Sequence, residues 1–412
     1  MTALSRPPGN PRIVESARRR LRSRVEAEAY VASVCFKHGP PRLTGVELEW
    51  IVHHAEDPRR PIDAHRFTAA LGPYAPRTLN KESPQLPLPA GSPLTLEPGG
   101  QVEISALPKP SLAELFDAVT TDLGFLSELL ADAGFVLGDR ATDQHRPPRR
   151  LLDTPRYAAM EQVFEPIGPH GLTMMCATAG LQVCLDVGEP ATLAARWAAV
   201  SALGPVLVAA FANSPNLRGR PTGWASARMR AVLGTDPPRS APSKIVEDPA
   251  ADWARRVLDT PVLCVRGDGD RWVTPDGMSF ADWLAGARAE PPTTDDLDYH
   301  LTTMFPPVRP HGYFEVRYLD AQRGDSWVTP VALLAALLST PGTVDAVLDA
   351  CLPVGDRWLP AARHGLADRA LAAAAATVLD LGARALPDLG LGRDLTEAIV
   401  ADLDRLPRRS TS

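Results

Sequence analysis

Four segments of this chain alternate apolar and polar side chains, as β-strands with one buried face do. In the first, residues 43–53, Val46 and Leu48 fall on one side of the predicted strand, and Glu47 and Glu49 fall on the other. The apolar side of such a strand packs into a core, and the opposite side faces away from it. Two neighbouring carboxylates on that opposite side require an explanation, because solvated strand faces usually carry Thr, Lys or Arg.

The same alternation recurs in three later segments. They are LTLEPGGQVEISALP (residues 94–108), which indicates a hairpin with a Pro-Gly-Gly turn, GLQVCLDVG (residues 180–188) and GYFEVRYLD (residues 312–320). If the four strands form one antiparallel sheet, their apolar sides pack against helices and their polar sides form one concave surface. The residues predicted to line that surface are Glu47, Glu49, Gln101, Glu103, Gln182, Asp186, Glu315 and Arg317.

The first pair of carboxylates indicates a bound cation. Glu47 and Glu49 lie two residues apart on one strand face, with His53 predicted further along the same side. Their backbone separation is roughly 6–7 Å, from a rise of about 3.3 Å per residue. Unpaired anions this close repel each other, and Mg²⁺ is the natural ion for oxygen ligands that also share substrate phosphates. Simple solvation explains any one polar strand face, but the four faces together favour a metal-binding surface.

Two loops hold arginines that could meet phosphate or carboxylate groups. NSPNLRGRPTGWASARMR, residues 213–230, carries four arginines, and HLTTMFPPVRP, residues 300–310, adds a histidine, two threonines and Arg309. Arginine binds such anions through two parallel N–H donors. The sequence contains no G-x-x-x-x-G-K-[ST] phosphate loop, G-x-S-x-G turn or H-E-x-x-H helix. Any nucleotide chemistry must therefore use carboxylates and arginines.

Helical periodicity accounts for much of the remaining chain. Helices are predicted over residues 13–36, 63–71, 111–135, 190–212 and 249–258, and from residue 330 to the end of the chain. The helix at 111–135 has the clearest signature, because Ser111 and Glu114 form an S-x-x-E capping box before apolar residues at helical spacing. Residues 172–187 and 261–265 are predicted to be strands. The sequence therefore predicts an α+β fold with helices on one face of a sheet.

Composition and charge exclude several classes of protein. The net charge is −6 without a basic tract, which argues against nucleic-acid binding. Five scattered cysteines form no CxxC pair, so neither a disulfide framework nor a zinc knuckle is expected. The first residues lack an apolar leader, and the longest apolar run, around residues 198–213, is short for a membrane span. We expect a cytoplasmic protein with small-molecule partners, no nucleic acid and no membrane, and the sequence leaves its oligomeric state open.

Six blocks together resemble the plant-type glutamate–cysteine ligases of the carboxylate–amine ligase group. They are GVELEW, LEPGGQVEIS, LTMMCATAGLQVCLD, FANSPNLRGRPTGW, HLTTMFPPVRP and YFEVRYLD, in this order between residues 43 and 320. The Arg-rich, Lys-poor chain is most similar to the actinobacterial members, which open ergothioneine synthesis. The resemblance implies a curved antiparallel sheet of the glutamine-synthetase-like type with helices on its outer face. It also implies ATP-dependent ligation of glutamate to cysteine with Mg²⁺, through a γ-glutamyl phosphate.

The resemblance further implies roles for individual residues. The implied metal ligands are Glu47, Glu49, Glu97, Glu103 and Glu315. Arg317 is expected to meet the phosphoryl group during transfer, so that Arg317 and Glu315 form a catalytic pair. The implied nucleotide-binding residues are Gln182, Asn213, Ser214, Arg228 and Thr302. Two departures are visible, because the strand lacks the Gly that follows the arginine in the plant proteins and the C-terminal region diverges from theirs.

The expected organisation has three parts: a tail and helix over residues 1–42, a catalytic domain over 43–328, and a helical region over 329–412 packed on that domain. Two alternatives to cysteine ligation stay open. The same fold could join glutamate to another amine, since the metal-binding surface would be unchanged. The chain could also be a silent metal- or nucleotide-binding protein, although the retention of the strand glutamates and Arg317 argues against this. Release of ADP with glutamate and different amines separates these hypotheses.

Overall fold

The computed structural model describes residues 19–406 except 268, 270 and 271. The predicted N-terminal tail and the first residues of the predicted helix at 13–36 lie outside the described residues. Within them, that helix begins at Arg24, where the Ser23 hydroxyl accepts a hydrogen bond from the backbone N–H of Glu26 at 3.2 Å. Residues 19–23 were also predicted to be helical, but they precede the helix and Arg20 forms an isolated bridge with Thr293. The prediction is confirmed from Arg24 to Cys35.

In the part of the chain that the structure describes, ten strands form one large sheet and two small ones. The strands are β1 (Thr44–Trp50), β2 (Val52–His54), β3 (Leu94–Leu96), β4 (Val102–Lys109), β5 (Phe135–Leu137), β6 (Gly180–Leu185), β7 (Asn216–Leu217), β8 (Arg220–Pro221), β9 (Val308–Pro310) and β10 (Phe314–Asp320). The large sheet has the order β3-β4-β1-β6-β10-β9, and every neighbouring pair in it is antiparallel. The four predicted strands therefore lie side by side in its centre.

Sixteen α-helical segments complete the described chain. They are α1 (Arg24–Cys35), α2 (Ala64–Leu71), α3 (Leu112–Asp132), α4 (Pro155–Phe164), α5 (His170–Cys176), α6 (Leu193–Ala210), α7 (Ala227–Leu233), α8 (Pro237–Ser240), α9 (Pro249–Asp259), α10 (Phe280–Asp282), α11 (Thr294–Leu301), α12 (Val328–Leu337), α13 (Pro341–Cys351), α14 (Trp358–His364), α15 (Arg369–Ala385) and α16 (Arg393–Arg405). The predicted helices near residues 63–71, 111–135, 190–212 and 249–258 are confirmed as α2, α3, α6 and α9.

The main core lies between the apolar side of the large sheet and a layer of helices. Val46, Ile104, Val183 and Val316 are each at most 1% exposed and belong to one hydrophobic cluster. The same cluster contains side chains of α3, α6, α12 and α15. An α+β fold with an antiparallel sheet and helices on its apolar side is therefore confirmed.

Between residues 19 and 406, as far as the structure describes them, two single helices are long and apolar enough to cross a membrane, Pro190–Ala210 and Arg369–Leu389. The bent pair Gly324–Leu337 and Pro341–Val354 would add a third if it counted as one span. The first of these helices is longer than the apolar run at residues 198–213, because a 3₁₀ turn extends it back to Pro190. Its apolar stretch is 83% buried inside the protein. It contacts α13, α14 and α15, so this helix serves as a central element of the core.

Three local predictions are wrong. Residues 170–176 form α5, and the strand predicted over 172–187 is confined to β6, because short apolar runs suit a buried helix and a strand equally well. Residues 261–265 form only isolated bridges, at Pro261 and at Val265. The first strand is interrupted at Ile51, so His53 belongs to β2, which pairs with β5 in a separate sheet.

Candidate active site

Three carboxylates converge at one end of the large sheet. Glu49 of β1 lies directly opposite Glu103 of β4 in the antiparallel register. Glu97 follows β3 at the hairpin turn, where its N–H donates to the backbone oxygen of Gln101 at 2.9 Å and Gly100 takes a φ of 89°. One carboxylate oxygen of each glutamate lies within 4.8 Å of the other two. We call Glu49, Glu97 and Glu103 the carboxylate cluster.

Neighbouring groups orient two members of the carboxylate cluster. The backbone N–H of Gly180 and the side-chain amide of Gln182 donate to Glu49 at 2.7 and 2.8 Å. The hydroxyls of Thr95 and Ser105 donate to Oε1 of Glu103 at 2.6 and 2.9 Å. Each carboxylate thus keeps acceptor capacity that a cation can use, since a carboxylate offers about four lone-pair sites.

Among the described residues, no cation lies within 4.0 Å of the carboxylate cluster, although the charges of Arg317 and Arg156 favour ionisation of Glu97. Burial, with the repulsion of Glu49 and Glu103, raises the pKa of Glu97 to about 8. Burial and Glu49 also raise the pKa of Glu103 to about 6, although hydrogen bonds from Thr95 and Ser105 oppose the shift. Like charges that disfavour one another's ionised forms are what a divalent cation with oxygen ligands relieves. The chemistry of this donor set fits Mg²⁺.

Glu315 of β10 has the opposite environment. Its register partner on β9 is Arg309, whose guanidinium donates to both of its oxygens, with Nη2 at 2.8 Å from Oε1. Nη1 of Arg317 donates to the same Oε1 at 2.7 Å. Burial opposes ionisation, but the two guanidinium groups outweigh it and lower the pKa of Glu315 to about 2. We call Glu315, Arg309 and Arg317 the arginine cluster.

Glu47 and Gln182 lie between the two clusters. Glu47 pairs in register with Ser105 on one side and with Gln182 on the other. Burial and the charges of Glu103 and Glu315 raise its pKa well above the ordinary value. Gln182 donates to Glu49 through Nε2 and accepts a hydrogen bond from Arg317 through Oε1. A continuous chain of hydrogen bonds therefore joins the carboxylate cluster to the arginine cluster.

A small cavity opens where the two clusters meet. Its volume is about 60 Å³, and its lining residues are Glu49, Glu97, Gln101, Met174, Thr178, Arg228, Val232, Phe305, Pro307 and Arg317. Arg228 is 5% exposed, and its Nη2 donates to the backbone oxygen of Arg317 at 2.8 Å. Anionic and cationic side chains thus face the same space, which suits a reaction between charged groups.

Other predicted residues do not line this cavity. Asn213 and Ser214 bind the carboxylate of Asp320 through a backbone N–H and a hydroxyl, at 2.8 and 2.7 Å. Thr302 accepts a hydrogen bond at 2.9 Å from Arg156. Their predicted contact with nucleotide stays a prediction. Asp186, which was expected on the polar surface, instead accepts the backbone N–H groups of residues 42 and 43, both at 2.8 Å.

Three further residues shape the two clusters. Sequence reasoning did not assign roles to Ser105 and Thr95, and it named Arg309 as an anion-binding candidate without finding its partner, Glu315. Ser105 could have been found, because it lies two residues beyond Glu103 on the same strand side. Thr95 could have been found from the hairpin, since it pairs in register with Glu103. The pairing of Arg309 with Glu315 depends on how β9 aligns with β10, and the residue pattern of neither strand specifies that register.

Comparison with known proteins gives matches over most of the chain. The model of glutamate–cysteine ligase family 2 (GCS2) matches residues 43–407. Glutamate–cysteine ligase EgtA of Mycobacterium tuberculosis (strain ATCC 25618 / H37Rv) is 38% identical over 391 residues, which cover 92% of this chain and 87% of that protein. The chloroplastic glutamate–cysteine ligase of Brassica juncea is 32% identical over 288 residues, covering 67% of this chain and 54% of that protein.

One solved structure, that of a bifunctional glutathione synthetase from Pasteurella multocida, aligns with 94% of this chain and 50% of its own. The TM-score is 0.47 and the sequence identity is 12%, so this likeness carries no argument. The sequence matches are the stronger finding, because the match to the Mycobacterium tuberculosis protein covers most of that protein and most of this chain.

Proposed function

Because the chain belongs to glutamate–cysteine ligase family 2, and is therefore a glutamate–cysteine ligase, we propose that it joins the γ-carboxylate of glutamate to the amino group of cysteine at the expense of ATP. The products are γ-glutamylcysteine, ADP and phosphate. The observation that carries this proposal is the convergence of Glu49, Glu97 and Glu103 beside Arg317 on one sheet. The family match over residues 43–407 supports it.

The residue types suit this chemistry. A carboxylate does not condense with an amine in water until one of its oxygens becomes a leaving group. Phosphorylation of the γ-carboxylate provides one, and the amine then displaces phosphate from the γ-glutamyl phosphate. Transfer of a phosphoryl group between anions depends mainly on positioning and on neutralising charge. No enzyme nucleophile is required, so none of the five cysteines has to act as one.

We assign the metal site to the residues whose charges are least compensated. Glu49, Glu97 and Glu103 would hold one Mg²⁺, and the raised pKa of Glu97 and of Glu103 supports this assignment. Glu47 and Glu315 would hold a second ion only when nucleotide is bound, because Glu315 must first give up part of its contact with Arg309 or Arg317. When bound, Mg²⁺ supplies charge neutralisation at the phosphate oxygens.

Arg317 is proposed to neutralise the phosphoryl group during transfer. Its Nη1 is held by Glu315 and Gln182, so the guanidinium is fixed in orientation at the wall of the cavity. Its side chain is 22% exposed, which leaves room for contact with a reactant. In other phosphoryl-transfer enzymes an arginine in this role accelerates the reaction by roughly 10³–10⁵.

The remaining nucleotide contacts are proposed at Arg228, Gln182, Asn213, Ser214 and Thr302. Arg228 and Gln182 have the stronger support, because both contact Arg317. Asn213 and Ser214 would act through Asp320, and Thr302 through Arg156. A cavity of about 60 Å³ accommodates only the reacting ends of the substrates, so the adenosine would lie outside it.

The context of the reaction is also a proposal. The match to glutamate–cysteine ligase EgtA over 92% of the chain supports a role in ergothioneine synthesis. The burial of the long apolar helix Pro190–Ala210 supports a cytoplasmic protein that does not enter a membrane. We retain the division into a tail and helix at 1–42, a catalytic domain at 43–328 and a helical region at 329–412, although one hydrophobic cluster joins the last two.

Release of ADP tests the proposed reaction. The enzyme is incubated with Mg²⁺, ATP and glutamate alone, then with cysteine, and then with other small amines. We expect cysteine to give the fastest release of ADP together with γ-glutamylcysteine, detected by mass spectrometry. If another amine is ligated faster than cysteine, that amine is the acceptor. If no amine gives glutamate-dependent release of ADP, the proposal is overturned.

An isotope experiment tests the intermediate. With ¹⁸O in the γ-carboxylate of glutamate, one labelled oxygen passes to phosphate when the amine displaces the γ-glutamyl phosphate. We expect ¹⁸O in the released phosphate in step with peptide formation. Unlabelled phosphate throughout the reaction would exclude the acyl phosphate.

A further inference from the structure

Arg228 is a buried cation that is fixed from two sides. On one side its Nη2 donates to the backbone oxygen of Arg317 at 2.8 Å. On the other side it lies against Gly180, where an added Cβ would be 2.4 Å from Nη2. The N–H of Gly180 also donates to Glu49. The guanidinium is therefore held beside the backbone that orients the carboxylate cluster and the backbone that carries Arg317.

The carboxylate of Asp320 binds several groups around Arg228. It is 2% exposed and lies at the end of β10. Oδ2 accepts the backbone N–H of Asn213 at 2.8 Å and the hydroxyl of Ser214 at 2.7 Å. Oδ1 accepts the hydroxyl of Ser226 at 2.8 Å and lies 3.8 Å from Nη1 of Arg228. One buried carboxylate thus meets three hydrogen-bond donors and one guanidinium.

Ser214 and Ser226 connect Asp320 by hydrogen bonds to the start of α7, the helix that carries Arg228. The hydroxyl oxygen of Ser214 accepts the backbone N–H of Arg228 at 3.1 Å. The hydroxyl oxygen of Ser226 accepts the backbone N–H of Met229 at 3.1 Å and caps the helix. Asp320 therefore restrains Arg228 twice, through the backbone by way of the serines and through the side chain by charge.

We propose that Asp320 is a positioning residue that fixes Arg228 for its contact with the reactants. The inference rests on the proposed function, in which Arg228 contacts the nucleotide or glutamate. Only an ionised carboxylate accepts from all three donors at once, because it carries lone pairs and no N–H or O–H of its own. The charge also fixes the guanidinium, because Asp320 is the only anion among the described residues within 4.0 Å of this buried cation.

Asp320→Asn is the informative change because it keeps the shape of the side chain. The amide nitrogen of the new asparagine would face a hydrogen-bond donor in either orientation of the side chain. In one orientation it would face the N–H of Asn213 and the hydroxyl of Ser214, and in the other the hydroxyl of Ser226. The negative charge beside Arg228 would also be lost. We expect kcat/KM to fall about 10–100-fold, the usual effect of losing a residue that orients a functional group.

A double-mutant cycle with Arg228→Ala separates positioning from general structural damage. If Asp320 acts through Arg228, then Asp320→Asn adds almost nothing to the loss of kcat/KM already caused by Arg228→Ala. KM for the ligand that Arg228 contacts should rise in both single variants, while KM for the other substrates stays unchanged. Independent losses that multiply in the double variant, or wild-type kcat/KM in either single variant, would overturn the proposal.

Two further variants keep the test decisive. Asp143→Asn is the matched control, because Asp143 is also buried, pairs with an arginine, Arg146, and accepts backbone N–H groups, yet does not line the cavity. Any loss of kcat/KM that Asp143→Asn causes should multiply with the loss caused by Arg228→Ala. If Asp320→Asn does not fold, Ser226→Ala replaces it in the same cycle. Turnover by the wild-type enzyme tests the ligation itself, so its absence would refute the proposed function and not the coupling between residues.

Discussion

The carboxylate cluster and the arginine cluster lie on the same sheet and hold carboxylates in opposite electrostatic states. Glu97 and Glu103 have raised pKa values, about 8 and about 6, because burial and mutual repulsion disfavour their charged forms. Glu315 has a pKa lowered to about 2, because Arg309 and Arg317 outweigh its burial. The charges of the first cluster are therefore relieved only by protons or by an added cation, whereas the second cluster contains its own cations, Arg309 and Arg317.

Under the proposed function, this difference would let one sheet act at both ends of a phosphoryl transfer. A cation at the carboxylate cluster and a guanidinium at the arginine cluster would face a phosphate group from two sides. Gln182 links them, since it donates to Glu49 and accepts from Arg317. The following changes test this comparison, from the largest expected effect to the smallest.

Removing Arg317 from the arginine cluster should have the largest effect. Arg317→Ala should lower kcat by about 10³-fold or more, as loss of an arginine at the transferring phosphoryl group does elsewhere. Arg317→Lys should stay well below wild type, because lysine keeps the charge and loses the fork of donors. Steady-state kinetics and the affinity for ADP provide the measurement. A lower melting temperature with kcat preserved would instead make Arg317 a structural residue.

Removing one anion of the carboxylate cluster should come next. Glu103→Gln keeps the size of the side chain but withdraws a charge, and we expect kcat to fall roughly 10²-fold at saturating Mg²⁺. Excess chelator should abolish wild-type turnover entirely. Glu161→Gln, which removes a partly exposed partner of Arg150 outside the cavity, is the control. Wild-type rates in chelator would contradict the metal assignment.

Loosening the carboxylate cluster without removing charge should have a smaller effect. Thr95→Val removes the hydroxyl that donates to Glu103 at 2.6 Å. We expect the affinity for Mg²⁺ to fall about tenfold, at the lower end of the usual loss for a group that orients a ligand. Thr329→Val removes a comparable bond, to Asp402 at 3.1 Å in the helical layer, and should leave metal affinity unchanged. Equal losses in both variants would contradict the account.

The smallest effect concerns the pH dependence of stability without metal. Glu97 is raised from an ordinary value near 4.5 to about 8, so the folded state binds its proton more tightly than the unfolded state does between these values. Stability then falls as pH rises through that window. We expect the melting temperature of the metal-free protein to fall from pH 5 to pH 8, and Glu97→Gln to flatten the decline. An equally steep decline in Glu97→Gln would contradict this origin.

The sequence predicted those parts of the fold that depend on local pattern. The strands β1, β4, β6 and β10 were found because alternation along a strand reports which face is buried. The start of α3 was found because Ser111 caps it by accepting the N–H of Glu114. The segment at 170–176 was misassigned, since apolar side chains without clear periodicity suit either kind of buried element.

The candidate site was predictable in its residue types and less so in its grouping. Glu97 and Glu103 are brought together by the local hairpin between β3 and β4, whereas Glu49 meets them only because β4 pairs with β1, a distant segment of the chain. Asn213 and Ser214 were expected to contact nucleotide, but their positions depend on Asp320, about a hundred residues away. Residue patterns report the face of one strand, and the alignment of strands decides which faces meet.

A Mn²⁺ titration without nucleotide, followed by calorimetry, tests the central comparison most directly. Wild type, Glu97→Gln and Glu315→Gln are titrated at one pH, with Mn²⁺ standing in for Mg²⁺. The account predicts that wild type and Glu315→Gln bind one ion per chain with similar affinity, and that Glu97→Gln binds it much more weakly. If Glu315→Gln weakens binding and Glu97→Gln does not, the cation belongs to the arginine cluster and the comparison is wrong.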